Sequence, residues 1–167
     1  YNTYPVCFAN NDERTKWRFY ARVPLCSSIQ SVLFPSIKEQ INGKSALEAV
    51  NMILNWIQTG FVYEYDNKVW GHDRAFFPDE TLYYPYCDCE DRAILFYRLV
   101  HDLLGLETVL IYYPGHLASA VHFTEDVKGD HIIHNDRKFV VCDPTIIGVG
   151  APVGVSQPNM DNSKAFI

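Results

Sequence analysis

The sequence predicts an α+β fold in which an antiparallel sheet packs on a helix that begins near Cys89. Three observations carry the prediction. Residues 46–58 and 89–103 repeat apolar side chains at helical spacing. Four later stretches between 107 and 142 are short, apolar and separated by turn residues. Helices precede strands, which favours segregated layers over alternating βα units.

Taken in order, residues 1–35 are aromatic and irregular, and YNTYPVCF (1–8) and KWRFYARVPL (16–25) read as short strands. They form an N-terminal extension or edge strands, and the domain proper is expected over 36–167. Ser45-Ala-Leu-Glu48 has the form of a capping box, with a Ser cap and a Glu three residues on. Leu47, Val50, Ile53, Leu54 and Ile57 then give one apolar face, and Gly60 ends the helix. Residues 61–65 read as extended. From Asp66 to Pro85 no period is sustained, and a loop of that length in a compact domain usually carries function or covers something.

Asp88 is a suitable cap for the second helix, and Glu90 and Asp91 complement the positive end of its dipole. Ala93, Phe96, Leu99, Val100 and Leu103 form its stripe, and Gly105 supplies the stop. ETVLIYY (107–113) reads as a buried strand, and Pro114-Gly115 turns the chain. HLASAVHF (116–123), HIIH (131–134) and RKFVVC (137–142) follow as strands, with Asn135-Asp136 as a tight hairpin turn. From Gly148 the chain is rich in Gly, Pro and Asn and reads as irregular.

The whole chain bounds the function. At 167 residues with 48% apolar content it can bury one real core. A net charge of −6 with no basic tract excludes a nucleic-acid backbone as partner. No apolar run reaches the roughly 18 residues that would span a bilayer. The start at Tyr1 leads us to expect a processed or excised piece. Five cysteines leave at least one thiol outside any internal pairing, so a reduced compartment and an export route with one bridge, such as Cys7–Cys26, both remain open.

Cys89 sits where a helix start stabilises an anion, which predicts a lowered thiol pKa and a reactive thiolate. Such a nucleophile needs a base and a group to orient it. His116 opens a strand after a turn, and Asp143 follows the last strand just before Pro144. Cys89, His116 and Asp143 would therefore converge at one sheet edge if the strands pair. His122 is the alternative base, and Cys87 the alternative nucleophile. Cys87, Cys89, Cys142 and a His offer a Cys₃His zinc reading, although C-x-C is tighter than usual and Cys142 should face away from Asp143.

DCEDRAILFYRLVHDLLGL (88–106), GHLASAV (115–121) and FVVCDPT (139–145) resemble, in the same order, three motifs of the transglutaminase-like superfamily in its bacterial form. FFPDETLYYPY (76–86) is similar to the loop that leads into the Cys of that family. The resemblance covers about residues 36–150. It implies a papain-like α+β architecture, no metal cofactor, and a triad of Cys89 as nucleophile, His116 as base and Asp143 as orienting acid. It further implies acyl transfer or amide hydrolysis on a protein or peptide substrate, and an exported, extracytoplasmic setting.

For the side-chain oxyanion donor, Trp70, Tyr86 and Gln58 are the candidates, and Trp70 and Tyr86 are also the expected substrate-binding residues. Tyr83, Tyr84, Tyr112 and Tyr113 are further candidates for a cleft lining. The strand opening at His116 lacks the aromatic residue usual after the family's base. That departure keeps a non-enzymatic binding or scaffolding module as the rival reading.

Overall fold

The computed structural model describes residues 13–146 and 150–161. Among the described residues six helices precede a four-stranded antiparallel sheet, so the α+β expectation holds. The helices are α1 (Glu13–Arg22), α2 (Ser27–Ile41), α3 (Ala46–Gly60), α4 (Asp66–Val69), α5 (Pro78–Tyr83) and α6 (Cys89–Leu104). Two short strands, β1 (Val62–Tyr63) and β2 (Tyr86–Cys87), pair in parallel ahead of α6. The main sheet is β3 (Thr108–Tyr113), β4 (His116–Val121), β5 (His131–His134) and β6 (Arg137–Cys142), in the spatial order β3-β4-β6-β5.

The cues at the helix ends act as the sequence suggests. Ser45 Oγ accepts from the Glu48 N–H while Glu48 accepts from the Ser45 N–H, so both halves of the capping box close. Gly105 adopts φ 64°, which lets its N–H return to the His101 carbonyl. At the hairpin, Asn135 and Asp136 take φ of 49° and 60°, matching the positive-φ geometry of a two-residue turn.

The N-terminal third departs from expectation. Residues 16–22 belong to a helix, because Trp17 and Ala21, one turn apart, both bury on α6 and its surroundings. Residues 27–41 form α2, anchored by Ile29, Leu33, Ile37 and Ile41 at four-residue spacing, despite Pro35 inside it. Leu25 lies in the same core as Val50, Leu54 and Leu99. The described part of residues 1–35 is thus integral to this core rather than a set of edge strands. The expected strand at 1–8 lies outside the described residues.

Helix α6 is the hub. Its first eight residues, Cys89 to Phe96, are all buried, more than a single apolar stripe would achieve. One side meets α3 in the main core, where Ile53, Leu54, Leu95 and Leu99 are nearly inaccessible, and another meets β4. Ser119 Oγ on β4 donates to the Ala93 carbonyl, fixing the sheet against the helix. A second core of Ile111, Ala118, Ala120, Phe139 and Val141 lies on the other face of the sheet.

Arg92 is only 1% exposed and forms no ion pair among the described residues. Its guanidinium donates to the carbonyls of Phe61 and Pro144 and to Cys87 Sγ, and lies 5.3 Å from the Tyr63 ring centroid. Arg92→Met should therefore strand two buried acceptors and cost about 3 kcal/mol or more. Urea denaturation checks this: the midpoint falls with an unchanged slope, and a shift below about 1 kcal/mol would show the contacts to be incidental.

Candidate active site

The register of the sheet aligns the base and the acid. Ser119 pairs with Cys142, so continuing one residue sets Asp143 opposite Ala118, diagonal to His116 on the same face. The side chains meet: His116 Nε2 lies 2.7 Å from Asp143 Oδ2. His116 is 7% exposed and Asp143 1%, so this pair is shielded from water. Asp143 Oδ1 accepts from the Thr145 N–H, and Gln58 Nε2 donates to the Asp143 carbonyl. The imidazole also stacks on Tyr113, with centroids 6.3 Å apart.

Cys89, at the first position of α6, shares one cleft of about 270 Å³ with His116. The backbone of Leu117, next to His116, favours the Cys89 thiolate but is outweighed by the effects that raise its pKa. The three residues singled out in sequence are thus gathered at one place, with Asp143 bonded to His116 and Cys89 lining the same cleft.

The electrostatics reverse the expectation for the thiol. Its pKa is raised, first by burial and then by the Glu90 carboxylate, to which Sγ donates at 3.0 Å. The helix dipole does not prevail because the thiol is buried and the Glu90 carboxylate lies beside it. Asp66, Asp88, Glu90 and Asp91 are all buried, and none forms an ion pair among the described residues. Asp66, Asp88 and Asp91 are held above the ordinary carboxyl range by burial, with the Glu90 charge adding to each. Asp91 is a fixed acceptor as well as a dipole partner: it takes the N–H groups of Phe76 and Asp88.

Carboxylate oxygens of Asp66, Asp88 and Asp91 lie within 4.8 Å of one another, as do those of Asp66, Asp73 and Glu90. A third group joins Asp88, Glu90 and the Cys89 sulfur within the same limit. These oxygen sets suit a hard divalent cation better than zinc. The Cys₃His reading is not realised among the described residues. Cys142 is buried in the main core, facing away from Asp143 as strand alternation requires, and Cys87 is held by Arg92.

Cys87 does not line the cleft: its sulfur accepts from Arg92, and burial pushes its thiol up to about 11. His122 lies just past β4, where its Nδ1–H donates to the Lys138 carbonyl at 2.9 Å, a packing role. Cys26 carries a free, exposed thiol, while Cys7, its suggested partner, lies outside the described residues.

The expected cleft residues need correction. Trp70 packs on Phe76 and Tyr84 beneath Arg74, and Tyr86 stands exposed on β2; neither lines the cleft. Gln58 spends its amide on Asp143 and Ala151, so it is a positioning residue. Tyr83 and Tyr84 lie outside the lining, as does Tyr113, whereas Tyr112 belongs to it. Lys16, Trp17, Tyr63 and Tyr65 complete the wall. Tyr63 comes to the thiol because β1 pairs directly with the residues before α6, a two-residue pairing with no sequence period to reveal it.

Comparison with known families, characterised proteins and solved structures gives no match. The reading of the site accordingly rests on its geometry.

Glu90→Gln removes the largest charge acting on Cys89, so the thiol should titrate at lower pH. Iodoacetamide labelling at fixed pH should then accelerate about tenfold, the gain in thiolate that follows when the pKa falls by about one. Peptide mass spectrometry reads the Cys89 rate directly, and an unchanged profile would refute the assignment. The raised acids also set a stability slope. The folded chain binds protons that the unfolded chain releases, so their contribution, complete below about pH 4, is lost as pH rises through the raised values. Asp88→Asn should flatten the fall in Tm between about pH 5 and 8 relative to the parent, and an equal slope in both proteins would contradict it.

Proposed function

We propose that this chain is a cysteine-dependent enzyme of the papain and transglutaminase kind, catalysing amide hydrolysis or acyl transfer on a protein or peptide. The observation that carries the reading is the buried 2.7 Å contact of His116 with Asp143 at a cleft that also holds the Cys89 sulfur. The helix-on-antiparallel-sheet arrangement supports the same architecture, with the nucleophile on a helix start and its partners on strand ends.

In this mechanism Asp143 holds Nε2 of His116, leaving Nδ1 to take the Cys89 proton. Sulfur attacks the acyl carbon, the carbonyl electron pair moves to oxygen, and the tetrahedral species collapses to a thioester as His116 returns its proton to the departing amine. Water then releases the acid, or a second amine captures the acyl group. Tyr63 is our candidate for the side-chain donor to the oxyanion. Burial raises its pKa, so the phenol keeps its proton. Hydrolysis of a peptide is the first reading and glutamine transamidation the second.

One observation favours the rival module without catalysis: the resting thiol is protonated and donates to Glu90 rather than to His116. A digest of mixed proteins in H₂¹⁸O with a dansylated amine present separates the outcomes. Hydrolysis leaves ¹⁸O at new C-termini, and transamidation leaves dansyl on glutamine. Either signal should vanish in Cys89→Ala and fall about 10²–10⁴-fold in His116→Ala. Folded wild type that yields neither product would hand the assignment to the binding module.

A further inference from the structure

A second cavity, of about 210 Å³, lies beside the cleft and shares Trp17, Tyr112 and Leu117 with it as a common wall. It falls below the roughly 300–1,000 Å³ of a whole small-molecule site, so it suits one residue of a longer ligand rather than a cofactor. Leu110 and Leu117 are among its apolar lining. Arg18 and Arg22, one turn apart on α1, are exposed at it, and no acid lines it.

Two features mark this space as built for an anion with an apolar body. Neither arginine forms an ion pair among the described residues, in a chain whose net charge is −6. The Trp17 Nε1–H is buried, with its residue 7% exposed, and has no hydrogen-bond acceptor among the described residues. A buried indole N–H normally finds a partner, so the common wall carries a donor without an acceptor. Guanidinium groups recognise carboxylates, and the leucines accept hydrocarbon. An Asp or Glu side chain supplies only the first of these; the C-terminal residue of a peptide supplies both when its side chain is apolar.

We propose that this cavity binds the C-terminal residue of a peptide, with its carboxylate on Arg18 and Arg22 and its apolar side chain against Leu110 and Leu117. As a substrate subsite it rests on the acyl-transfer reading, and it directs that chemistry to bonds close to a peptide's C-terminus. As a binding site it stands apart from Cys89.

The test is a ¹H–¹⁵N titration of the intact protein, following the Trp17 indole resonance assigned with Trp17→Phe. N-acetyl-L-phenylalanine should shift that resonance saturably. N-acetyl-L-phenylalaninamide, which lacks the charge, and N-acetyl-L-aspartic acid amide, which lacks the apolar group, should each bind at least about tenfold more weakly. Arg18→Glu with Arg22→Glu, both at exposed positions, should weaken the first ligand to the same degree. No shift at millimolar concentration, equal binding of all three compounds, or an undiminished affinity in the double variant would overturn the proposal. Inert Cys89 chemistry alongside selective binding would instead remove the enzymatic reading and leave the site standing.

Discussion

The buried guanidinium of Arg92 is the interaction on which the site's geometry depends. It extends from the helix that bears Cys89 and bonds to the carbonyl just before β1, to the sulfur of β2 and to the carbonyl of the residue after Asp143. One side chain thus ties the helix of Cys89, the short parallel sheet and the end of the strand that leads to Asp143. Burying a cation without a carboxylate partner is costly, and three acceptors together with an aromatic face offset part of that cost. A planar donor with diverging N–H groups meets this requirement, and a lysine would not.

Around this rigid frame the chemistry is set by burial of the titratable groups gathered at the start of α6. A helix start alone would favour a thiolate, yet burial of Cys89 and the Glu90 carboxylate beside it outweigh a dipole equivalent to roughly half a charge. The resting site therefore stores its protons: on the Cys89 sulfur, and on carboxyls raised out of their ordinary range. In the proposed reaction His116 must draw a proton away from an environment that favours keeping it, which makes the orientation fixed by Asp143 more consequential than the acidity of the thiol.

Much of this was legible in the sequence where a local rule and the tertiary outcome agree. Ser45 with Glu48, Gly105, Asn135-Asp136 and the Pro-Gly turn before His116 each act through neighbours a few residues away. Strand alternation was enough to separate Cys142 from Asp143. The failures have physical causes. In α1 the aromatic and β-branched content of 16–25 mimics a strand, while the actual signal, Trp17 and Ala21 one turn apart, is only two residues strong. In α2 the four-residue spacing of Ile29, Leu33, Ile37 and Ile41 is present in the sequence, but Pro35 interrupts it and an expected domain boundary at residue 36 divided it. Near the Cys89 motif in sequence, Trp70 packs on Phe76 and Tyr84 and Tyr86 stands exposed, whereas Trp17 and Tyr63 reach the cleft through contacts no short window contains. The thiol's acidity was misjudged because burial, which no short window shows, acts on it first, and Glu90 beside it acts against the dipole.

Residues 150–161 are irregular, as the Gly, Pro and Asn content from Gly148 suggests, yet several of them are firmly tied to the fold. Ala151 exchanges two hydrogen bonds with the Gln58 amide, Val153 N–H reaches Asn51, and Gly154 bonds to Val141 and Asp130 across so close an approach that a Cβ there would fall 2.7 Å from the Lys128 carbonyl oxygen. The contacts to Gln58 and Asn51 span 93 and 102 positions of chain. During synthesis the polar face of α3 therefore waits for residues made long after it, and Gln58, which also braces Asp143, gains its full set of partners only then. As the chain leaves the ribosome, the acid behind His116 is among the last parts of this fold to be secured.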